Sequence, residues 1–599
     1  MKFGGTSVAD AARIRGAARR AVAASRDGHQ VVMVVSARGK KTDELVGLAA
    51  EITDAPSDRE MDMLLATGEQ ESVALMAMAV AAEGAEAISM TGGQIGIRTD
   101  SAHTQARIID ISTRRMRDAL TAGQIVIAAG FQGIDDEGHI TTLGRGGSDT
   151  TATALAAVLR ADECQIFTDV EGVLSTDPRL VDEARLLRHI SYDEMLELAS
   201  MGAGVMHSRS IEFAKKYRVP VRVRPAHAES EGTLIAAAAE ESDQLAPLVT
   251  GLAVVKDEVR VGLVGLPDRP GVMAEVFARL AERSLPIDMI VQDAGQDGLA
   301  EVSFTVPEAN RDDAMQASRQ ALGELGQGDV KEGIPVSKVS SVGRGMRSHT
   351  GVAAHMFQLL SDQEINLHMI STSEIKISVQ VDREKCESAV AAVHGGFGLE
   401  DSESETPEVG FVLRRGSDEG DLSEREAIEQ DVVDRLATME EIVISEVHLD
   451  AEQSRITLRN IPNTPGVAAA VFSAVAEGGI LVDMIVQNDP RGVVDVLGEA
   501  SLSFTVPRRD VDSAMLLVRE VVEQWGEATI GYDRDIAMLS VVGIGLRSHT
   551  GVGARMFRAL ADAGINIQMI NTSEIRISVV VSLEDGAAAH KCLSGVFGL

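Results

Sequence analysis

Cysteine, aromatic residues and long apolar runs are all scarce in this sequence, and each shortage argues against a class of protein. Three cysteines in 599 residues, far apart and without metal-type spacing, argue against a disulfide scaffold and suit a reducing compartment. No run of about 18 or more apolar residues appears, so we expect no membrane span. The first residues contain no apolar signal core, and a cytoplasmic location is therefore expected.

Lysine and arginine, 56 in all, are also outnumbered by the 91 aspartates and glutamates. The formal net charge is −35, which makes a nucleic-acid partner unfavourable. Part of this charge is local, because residues 400–450 hold 17 Asp and Glu against 4 Arg. A charge run of this kind is typical of a solvated linker, and we predict an acidic linker at 401–444.

The second half of the chain is an internal duplication. The stretch "GLPDRPGVMAEVF" (265–277) returns as "NIPNTPGVAAAVF" (460–472), and "INLHMISTSEIKISV" (365–379) returns as "INIQMINTSEIRISV" (565–579). Each copy holds a weaker repeat of itself, in which a Gly turn opens a helical pattern and a β-rich run follows. Each quarter is therefore predicted to be a small split-βαβ domain.

These repeats divide the chain. The part that is not repeated, residues 1–240, has an α/β pattern and is predicted to be one domain. The four repeated units are predicted at 250–330, 331–400, 445–530 and 531–599.

The first chemical motif is "KFGGTS", with Lys2, Gly4 and Gly5. Glycines allow backbone N–H groups to approach phosphate oxygens, and the lysine supplies a point charge. The lysine precedes the glycines, so the motif is not a Walker loop. Taken alone it could also be an ordinary Gly-rich turn.

Polar residues that follow predicted strands or open helices form the second group. Ser36 and Thr42 follow a buried strand at 31–35, where open α/β sheets bind ligands. Glu69 lies near a Thr-Gly turn, where its carboxylate could bind an ammonium group or offset a helix dipole. A capped turn before a helix explains Ser36 and Thr42 equally well.

A second Gly-rich loop, "TTLGRGGSDTTA" (141–152), carries Arg145, Ser148 and Asp149. An arginine in such a loop suits two-pronged capture of a carboxylate. Asp149 could also be a plain helix cap. A strand then ends at Thr168 and Asp169, and "TDPR" supplies Asp177 and Arg179; ordinary turns would explain both pairs.

Taken together, these motifs resemble aspartokinase, a member of the amino-acid kinase family. The shared motifs occur in the family's order: "KFGGTSV", "REMDMLLATGE", "GFQG", "TTLGRGGSDTTA", "TDVEGV", "TDPR" and "EGTLI". The repeated half resembles ACT domains. The resemblance implies a three-layer α/β sandwich with a mainly parallel sheet, followed by four α+β (βαββαβ, ferredoxin-like) ACT domains in two tandem pairs.

The family reaction implied is phosphoryl transfer from ATP, with Mg²⁺ bridging its phosphates, to the β-carboxylate of L-aspartate. By motif, Lys2, Gly4 and Gly5 would contact the phosphoryl group, and Asp149 would orient Lys2. The substrate residues implied are Arg145 for the α-carboxylate and Glu69 for the ammonium group, with Ser36, Thr42 and Ser148 lining the pocket. The nucleotide residues implied are Thr168, Asp169, Asp177 and Arg179, and no protein ligand to a metal is implied.

The ACT resemblance implies amino-acid effectors, namely lysine, threonine or both. Within the first copy, Asp268, Gly271 and Gln292 are expected to face Ile365 and Asn366. Within the second, the equivalent set is Asn463, Gly466 and Gln487 facing Ile565 and Asn566. Since Asp268 corresponds to Asn463, we expect the first site to favour lysine and the second threonine. ACT sheets commonly pair across subunits, so a homodimer is expected.

Three departures from the family pattern matter. The strand that usually precedes Lys-Phe-Gly-Gly is absent. We therefore expect that the chain is clipped at its start and that a slot in the central sheet is unfilled. A protein with such a gap should be inactive or unstable. Leu174 replaces a tyrosine on the adenine side, and Gly204 replaces a nucleotide-contacting lysine. The alternatives are a catalytically silent amino-acid sensor and a kinase for another acidic molecule, such as acetylglutamate.

Overall fold

The computed structural model describes residues 1–200, 205–238, 247–283, 285–294, 298–401, 411–412, 443–488, 499–544, 546, 551–573 and 575–599. The predicted acidic linker, apart from residues 411–412, and Gly204 lie outside these residues. The chain divides into two compact units. The first contains residues 1–174, 186–242 and 405–441; the second contains residues 175–185, 243–404 and 442–599.

The first unit is built on a nine-stranded sheet in the order β10-β12-β11-β9-β1-β2-β6-β3, with β19 paired to β12. The strands, numbered along the chain, are β1 (Lys2–Phe3), β2 (Val32–Val35), β3 (Ala87–Met90), β6 (Ile125–Ala129), β9 (Cys164–Thr168), β10 (His189–Ser191), β11 (Val221–Pro225), β12 (Thr233–Ala238) and β19 (Phe411–Val412). The pairs β1–β2, β1–β9, β2–β6 and β3–β6 are parallel. The predicted mainly parallel sheet is confirmed.

Eight helices of the first unit are described, and a small four-stranded sheet accompanies them. The helices are α1 (Ala11–Arg26), α2 (Lys41–Ile52), α3 (Asp58–Ala82), α4 (Gly92–Ile95), α5 (Arg114–Thr121), α6 (Gly147–Val158), α7 (Tyr192–Ser200) and α8 (Ser208–Tyr217); the small sheet contains β4 (Ile97–Thr99), β5 (Ile108–Ile111), β7 (Gln132–Ile134) and β8 (Ile140–Thr142). Helix α1 begins where the Asp10 side chain accepts two backbone N–H groups. Helix α6, rich in Ala and Thr, is almost wholly buried.

The central strand β1 is only two residues long, but it is paired on both sides. Lys2 lies opposite Val34 and Ile166, and the amino group of Met1 donates to the Val32 carbonyl at 2.8 Å. Phe3 is fully buried and stacks on Phe167 with ring centroids 4.6 Å apart. The expectation of an unfilled slot in the sheet is therefore wrong: the backbone groups at this position are paired, and the Gly-rich loop follows a short strand.

The second unit has a fourteen-stranded sheet in the order β20-β25-β27-β26-β14-β15-β13-β16-β18-β17-β22-β23-β21-β24. The first copy of the repeat supplies β13 (Gly251–Pro267), β14 (Asp288–Ala294), β15 (Leu299–Pro307), β16 (Asp329–Val342), β17 (Met369–Ser373) and β18 (Lys376–Asp382). The second supplies β20 (Val443–Asp450), β21 (Gln453–Pro462), β22 (Ile485–Asn488), β23 (Glu499–Pro507), β24 (Thr529–Asp533), β25 (Ile536–Ile544), β26 (Met569–Thr572) and β27 (Arg576–Ser582).

The helices of this unit are α9 (Val272–Glu282), α10 (Arg311–Leu325), α11 (Val352–Asp362), α12 (Cys386–Gly396), α13 (Val467–Glu477), α14 (Val511–Val522), α15 (Gly551–Asp562) and α16 (Leu583–Phe597). Helix α9 packs on α15, and α11 packs on α13. Each contact centres on a pair of phenylalanines, Phe277 with Phe557 at 5.4 Å and Phe357 with Phe472 at 5.5 Å. The predicted four-fold repeat is therefore visible as two equivalent helix pairs.

Candidate active site

The loops that carry the predicted phosphate and substrate residues meet at one edge of the first sheet. The Gly4 N–H donates to the Phe167 carbonyl at 3.4 Å, and the Ser36 N–H donates to the Phe3 carbonyl at 3.2 Å. The Gly130 N–H donates to the Val35 carbonyl at 3.2 Å. Because β1, β2, β6 and β9 are parallel, these loops all lie at the carboxyl ends of the strands, where α/β sheets bind ligands.

Lys2 and Asp149 form an ion pair at this edge, with Nζ and Oδ1 2.5 Å apart. Their side chains are 12% and 13% exposed, so the pair is shielded from most of the solvent. Asp149 lies in the first turn of α6, where a carboxylate is favoured by the helix dipole. The contact fixes the position of the lysine ammonium group beside the Gly4–Gly5 turn.

The Gly4–Gly5 turn lies tightly against the turn that follows β2. A Cβ atom on Gly5 would come within 2.6 Å of the Ala37 carbonyl oxygen, so only glycine fits there. The Gly39 N–H in turn donates to the Gly5 carbonyl at 2.9 Å. The two turns therefore hold each other in place, next to Ser36.

Glu69 is a buried carboxylate with an unused oxygen. Its Oε1 accepts the Ala37 N–H at 3.0 Å, while Oε2 is buried and accepts no hydrogen bond from the described residues. The side chain is 3% exposed, and burial raises the pKa of Glu69 to about 7. Gly68 allows this approach, since a Cβ there would lie 2.8 Å from the Ala37 Cβ. A buried acceptor without a donor is costly, and a ligand ammonium group would satisfy it.

Arg145 lies between two glycines with left-handed backbone, Gly144 (φ 74°) and Gly146 (φ 72°). Its side chain is exposed, and no hydrogen bond or ion pair engages it among the described residues. Ser148 is buried beside the end of β6, because a Cβ on Gly130 would lie 2.7 Å from the Ser148 Oγ. The loop thus presents a guanidinium group and a hydroxyl group near the same strand ends.

The remaining predicted site residues lie in three separate parts of the chain. Thr42 lies in the first turn of α2. Thr168 ends β9, directly after the residue that accepts the Gly4 N–H, and its Oγ1 donates to Asp169 Oδ1 at 3.1 Å. Asp177 and Arg179 belong to the second unit, where Arg179 donates to Asp177 through Nε at 3.0 Å and Nη2 at 2.7 Å. This guanidinium group holds the pKa of the Asp177 carboxyl below its usual range.

Two residues at the site were not singled out from the sequence. His207 packs against the Arg145 loop, because a Cβ on Gly146 would lie 2.3 Å from its Cβ, and burial lowers its pKa. Asp62 is fully buried in α3 and accepts the Thr142 hydroxyl and the Thr104 N–H. Asp62 therefore ties the strand before the Arg145 loop to the helix that carries Glu69. Asp62 lies inside the quoted motif "REMDMLLATGE", whereas His207 lies in no quoted motif, and only the buried contacts distinguish the two residues from their neighbours.

The predicted effector residues lie in the second unit, but they pair differently from the prediction. The Asn566 Nδ2 donates to Asp268 Oδ1 at 2.7 Å, and the Gln292 Nε2 donates to the Ile567 carbonyl at 2.8 Å. The first domain therefore faces the fourth, and the expectation that Asp268 faces Ile365 and Asn366 is wrong. A cleft lies at this contact, lined by Asp268, Gly271, Gln292, Ile565 and Asn566 among others.

The second and third domains pair in the same way. The Asn366 Nδ2 donates to Asn463 Oδ1 at 2.9 Å, and the Gln487 Nε2 donates to the Leu367 carbonyl at 2.7 Å. Asn463 therefore faces Asn366 and not Asn566. The reason lies in the sheet: β13 and β16 join the first two domains side by side, which leaves β14 and β17 as opposite edges, and each edge pairs with a strand of the second copy.

Among the described residues, no three His, Cys, Asp or Glu side chains form a group that could hold a metal ion. None of the described helices is long and apolar enough to cross a membrane. A magnesium ion carried in by nucleotide phosphates needs only one or two protein carboxylates, and Asp169 at the end of β9 fits that need.

Comparisons with known proteins agree with the fold and the site. Residues 1–225 match the amino acid kinase family, and residues 261–321, 339–397, 459–521 and 539–597 match ACT domains. Aspartokinase from Pseudomonas aeruginosa is 46% identical over 400 residues, which cover 67% of this chain and 97% of that protein. Aspartokinase from Geobacillus stearothermophilus is 49% identical over 399 residues, with the same coverage of both chains.

Two solved structures are also similar. Aspartate kinase from Synechocystis has a TM-score of 0.52 and 37% identity, covering 100% of this chain and 97% of that one. E. coli aspartokinase III, solved with aspartate and ADP, has a TM-score of 0.55 and 25% identity, covering 66% of this chain and 98% of that one. The chain spans nearly the full length of relatives to which it is almost half identical, and it belongs to the aspartokinase family, with an amino acid kinase domain followed by ACT domains.

Proposed function

We propose that this chain transfers the γ-phosphoryl group of ATP to the β-carboxylate of L-aspartate, giving 4-phospho-L-aspartate. The observation that carries the proposal is the unused Oε2 of Glu69, buried at the same sheet edge as the Lys2–Asp149 pair. A free α-amino acid brings the ammonium group that this oxygen lacks. An N-acylated substrate such as acetylglutamate does not, so the aspartate reaction is favoured over that alternative.

Each substrate group has a matching protein group. The ammonium group would meet Glu69, and the α-carboxylate would meet Arg145. Ser36, Thr42 and Ser148 would line the remaining pocket. No catalytic base is needed, because the attacking β-carboxylate is already ionised at neutral pH.

Catalysis would then come from positioning and charge neutralisation. The Lys2 ammonium group, oriented by Asp149, would offset the negative charge on the transferring phosphoryl group. The N–H groups of Gly4 and Gly5 would add hydrogen bonds to its oxygens. Such interactions cost no reorganisation at the moment of transfer, because the ion pair and the paired turns already hold them.

The nucleotide would lie along Thr168, Asp169, Asp177 and Arg179. Mg²⁺, when bound, would neutralise part of the phosphate charge, and Asp169 would share in holding it. The ADP-bound state of E. coli aspartokinase III supports this use of a nucleotide.

The proposed reaction is tested by an ATP-dependent hydroxamate assay, in which hydroxylamine traps the acyl phosphate. L-Aspartate should give product, whereas N-acetyl-L-aspartate and N-acetyl-L-glutamate should not. Product from the acetylated compounds, or none from any substrate together with tight amino-acid binding, would contradict the proposal; the latter result would favour an amino-acid sensor.

We also propose feedback regulation by amino acids at two sites: the cleft between the first and fourth ACT domains, and the equivalent contact between the second and third, here called the second–third cleft. Asp268 adds a carboxylate to the first–fourth cleft, which suits a cationic effector such as lysine; Asn463 makes the second–third cleft neutral, which suits threonine. The lysine-bound structure of E. coli aspartokinase III supports lysine as an effector of this family. Inhibition by lysine or threonine would place the enzyme at the entry to lysine, threonine and methionine synthesis.

We also propose that the protein forms a homodimer through its ACT domains and that it is located in the cytoplasm. The sheet edges at β14 and β17 are used within one chain, so the dimer would need another surface of the ACT domains. Light scattering of the purified protein tests the oligomeric state directly. The cytoplasm supplies ATP and keeps the three thiols reduced.

A further inference from the structure

Residues 175–185, here called the 175–185 segment, have an unexpected position. They lie inside the range that matches the amino acid kinase family, yet they pack with the ACT domains of the second unit. The segment carries Asp177 and Arg179, the proposed nucleotide residues. Whatever holds the segment is therefore placed to influence nucleotide binding.

Three kinds of contact hold the segment on the ACT domains. The Leu252 N–H donates to the Ser175 carbonyl at 2.7 Å, so the segment contacts the start of β13. Arg185 donates through Nε to the Leu399 carbonyl at 3.2 Å. Val181 is buried in the same hydrophobic core as Val390 of helix α12. Two of the three contacts involve α12 or Leu399, which follows it.

The third polar contact is a buried hydrogen bond between Ser175 and His394, with Oγ and Nε2 2.9 Å apart. Both residues are buried, at 0% and 1% exposure. The Ser175 Oγ already accepts the Arg185 N–H at 2.9 Å, so its own hydrogen can be donated to Nε2. The imidazole is then neutral with Nδ1–H towards Glu400, 3.7 Å away, and burial lowers the His394 pKa in the same sense.

The order Ser–His–Glu is that of a hydrolytic triad, but the geometry excludes that role. The hydroxyl group is inaccessible and already bonded to a backbone amide, so no carbonyl carbon can reach it. The hydrogen bond between Ser175 and His394 instead holds the 175–185 segment against helix α12.

The internal repeat shows that an ACT domain does not need this histidine. The ends "GGFGL" (395–399) and "GVFGL" (595–599) align the two copies, and Ser594 occupies the place of His394 in the fourth domain. Helix α16 forms in the fourth domain with Ser594 at that place. The histidine in α12 is therefore explained by its contact with Ser175 and not by the fold of the domain.

Helix α12 is also tightly coupled to an effector cleft. It packs on α11, which leads into Ile365 and Asn366, and α11 packs on α13 of the third domain. The fit is close, because a Cβ on Gly396 would lie 2.3 Å from Leu359 Cδ1, and His355 contacts the Gly396 carbonyl at 2.9 Å. We therefore expect a ligand that moves α11 to move α12 and the 175–185 segment with it.

We propose that His394 is a positioning residue for ATP: it holds the 175–185 segment through Ser175 and passes the state of the second–third ACT cleft to the nucleotide residues. The proposal rests on the proposed function for the identity of the nucleotide. We therefore expect only the second–third cleft to act on ATP binding through His394, because the first–fourth cleft is formed by α9 and α15 and not by α11 and α12.

The test uses the full-length chain with four variants: His394→Leu, which keeps volume but loses the hydrogen bond; His394→Gln, which can restore it; Ser175→Ala; and His590→Leu as the matched control. His590 lies in the last helix of the fourth domain and contacts the Val447 carbonyl of β20 at 2.9 Å. The readouts are KM for ATP and for aspartate, the Kd for ATP by calorimetry, and inhibition by lysine and by threonine.

His394→Leu and Ser175→Ala should raise KM and Kd for ATP about three- to tenfold, the usual value of one buried hydrogen bond, and leave KM for aspartate unchanged. Both should weaken inhibition by the effector whose action Asn463→Ala also abolishes, and leave inhibition by the other effector intact. His394→Gln should recover most of the ATP affinity, and His590→Leu should match the parent protein.

Several results would overturn the proposal. One is a folded His394→Leu protein with unchanged ATP affinity and unchanged inhibition. Another is an equal loss for both substrates and both effectors, which is what general destabilisation produces. If His394→Leu does not fold, Ser175→Ala decides by the same criteria. The calorimetric Kd needs no turnover, so a chain that binds ATP but fails to phosphorylate aspartate would refute the proposed function and leave this test intact.

Discussion

Replacing Glu69 by Gln tests the substrate site most sharply, because it keeps the shape of the side chain and removes only its charge. In the parent protein the carboxylate accepts the Ala37 N–H through Oε1, and a Gln oxygen can accept the same bond. The change therefore acts on Oε2, which receives no hydrogen bond from the described residues. If a substrate ammonium group binds there, the variant loses a charged partner.

The size of the loss follows from that contact. A hydrogen bond between charged groups is worth about 1.5–3 kcal/mol, so kcat/KM for aspartate should fall about 10- to 150-fold. KM for ATP should change little, because the proposed partner of Glu69 is the ammonium group of aspartate and not the nucleotide.

The pH profile gives a second, independent readout. The pKa of Glu69 is raised to about 7, and only the ionised form can pair with an ammonium group, so kcat/KM for aspartate should rise as pH increases through 7. This limb should disappear in Glu69→Gln. Stability should move oppositely: the raised pKa destabilises the folded state above pH 4.5, by up to about 3 kcal/mol near pH 8. The variant should therefore melt higher than the parent at pH 8 and equally at pH 4.

The control is Glu60→Gln, an exposed carboxylate on the same helix, which should leave the rate, the pH profile and the melting temperature unchanged. The reasoning is refuted if Glu69→Gln retains the parent kcat/KM across pH 6–9. An unchanged melting temperature at pH 8 would refute the argument from burial.

Three further predictions concern other parts of the molecule. Lys2→Met should lower kcat about 10²- to 10³-fold with a small change in KM for aspartate, as loss of a transition-state charge contact does. Gly68→Ala should push α3 off the Ala37 turn, lower the free energy of unfolding by about 1–3 kcal/mol and raise KM for aspartate, since its Cβ would lie 2.8 Å from the Ala37 Cβ. Asp268→Asn should weaken inhibition by lysine, and Asn463→Asp should strengthen it.

Each of these three predictions has an outcome that would contradict it. Lys2→Met with parent kcat would remove the lysine from the reaction. Gly47→Ala serves as the control for Gly68→Ala, because Gly47 also lies in a helix and its Cβ would meet no atom within 4 Å. Equal stability and KM in both glycine variants would show that the close approach is unimportant. Calorimetry that finds lysine bound equally well by the parent protein and by the Asp268→Asn variant would refute the charge argument.

The sequence was most informative where motif and topology agree. Parallel strands bring their carboxyl ends to one edge, so the loops at Gly4, Ser36 and Thr168 could be expected to meet there, and they do. The Lys2–Asp149 contact was implied by the family motifs and is present as an ion pair. The mainly parallel sheet, the ACT repeats and the family are likewise confirmed, whereas the roles of individual site residues stay predictions.

The sequence alone could not predict contacts between segments that are far apart along the chain. The repeat identifies Asp268 and Asn566 as candidates, but equivalent residues recur in each copy, so sequence alone cannot decide which copies pair. That decision depends on β13 and β16 lying in the middle of the sheet, which exposes β14 and β17 at opposite edges. The packing of the 175–185 segment on α12 was hidden for the same reason: Ser175 and His394 are 219 residues apart and belong to different motifs.

The central claim is that an oxygen of the aspartate β-carboxylate attacks the γ-phosphorus of ATP. Aspartate labelled with ¹⁸O in its β-carboxylate, incubated with the protein and ATP, tests this directly. We expect an acyl phosphate whose ³¹P signal shows the isotope shift of a bridging ¹⁸O, and ADP in equal amount. Release of unlabelled phosphate without an acyl phosphate would contradict it.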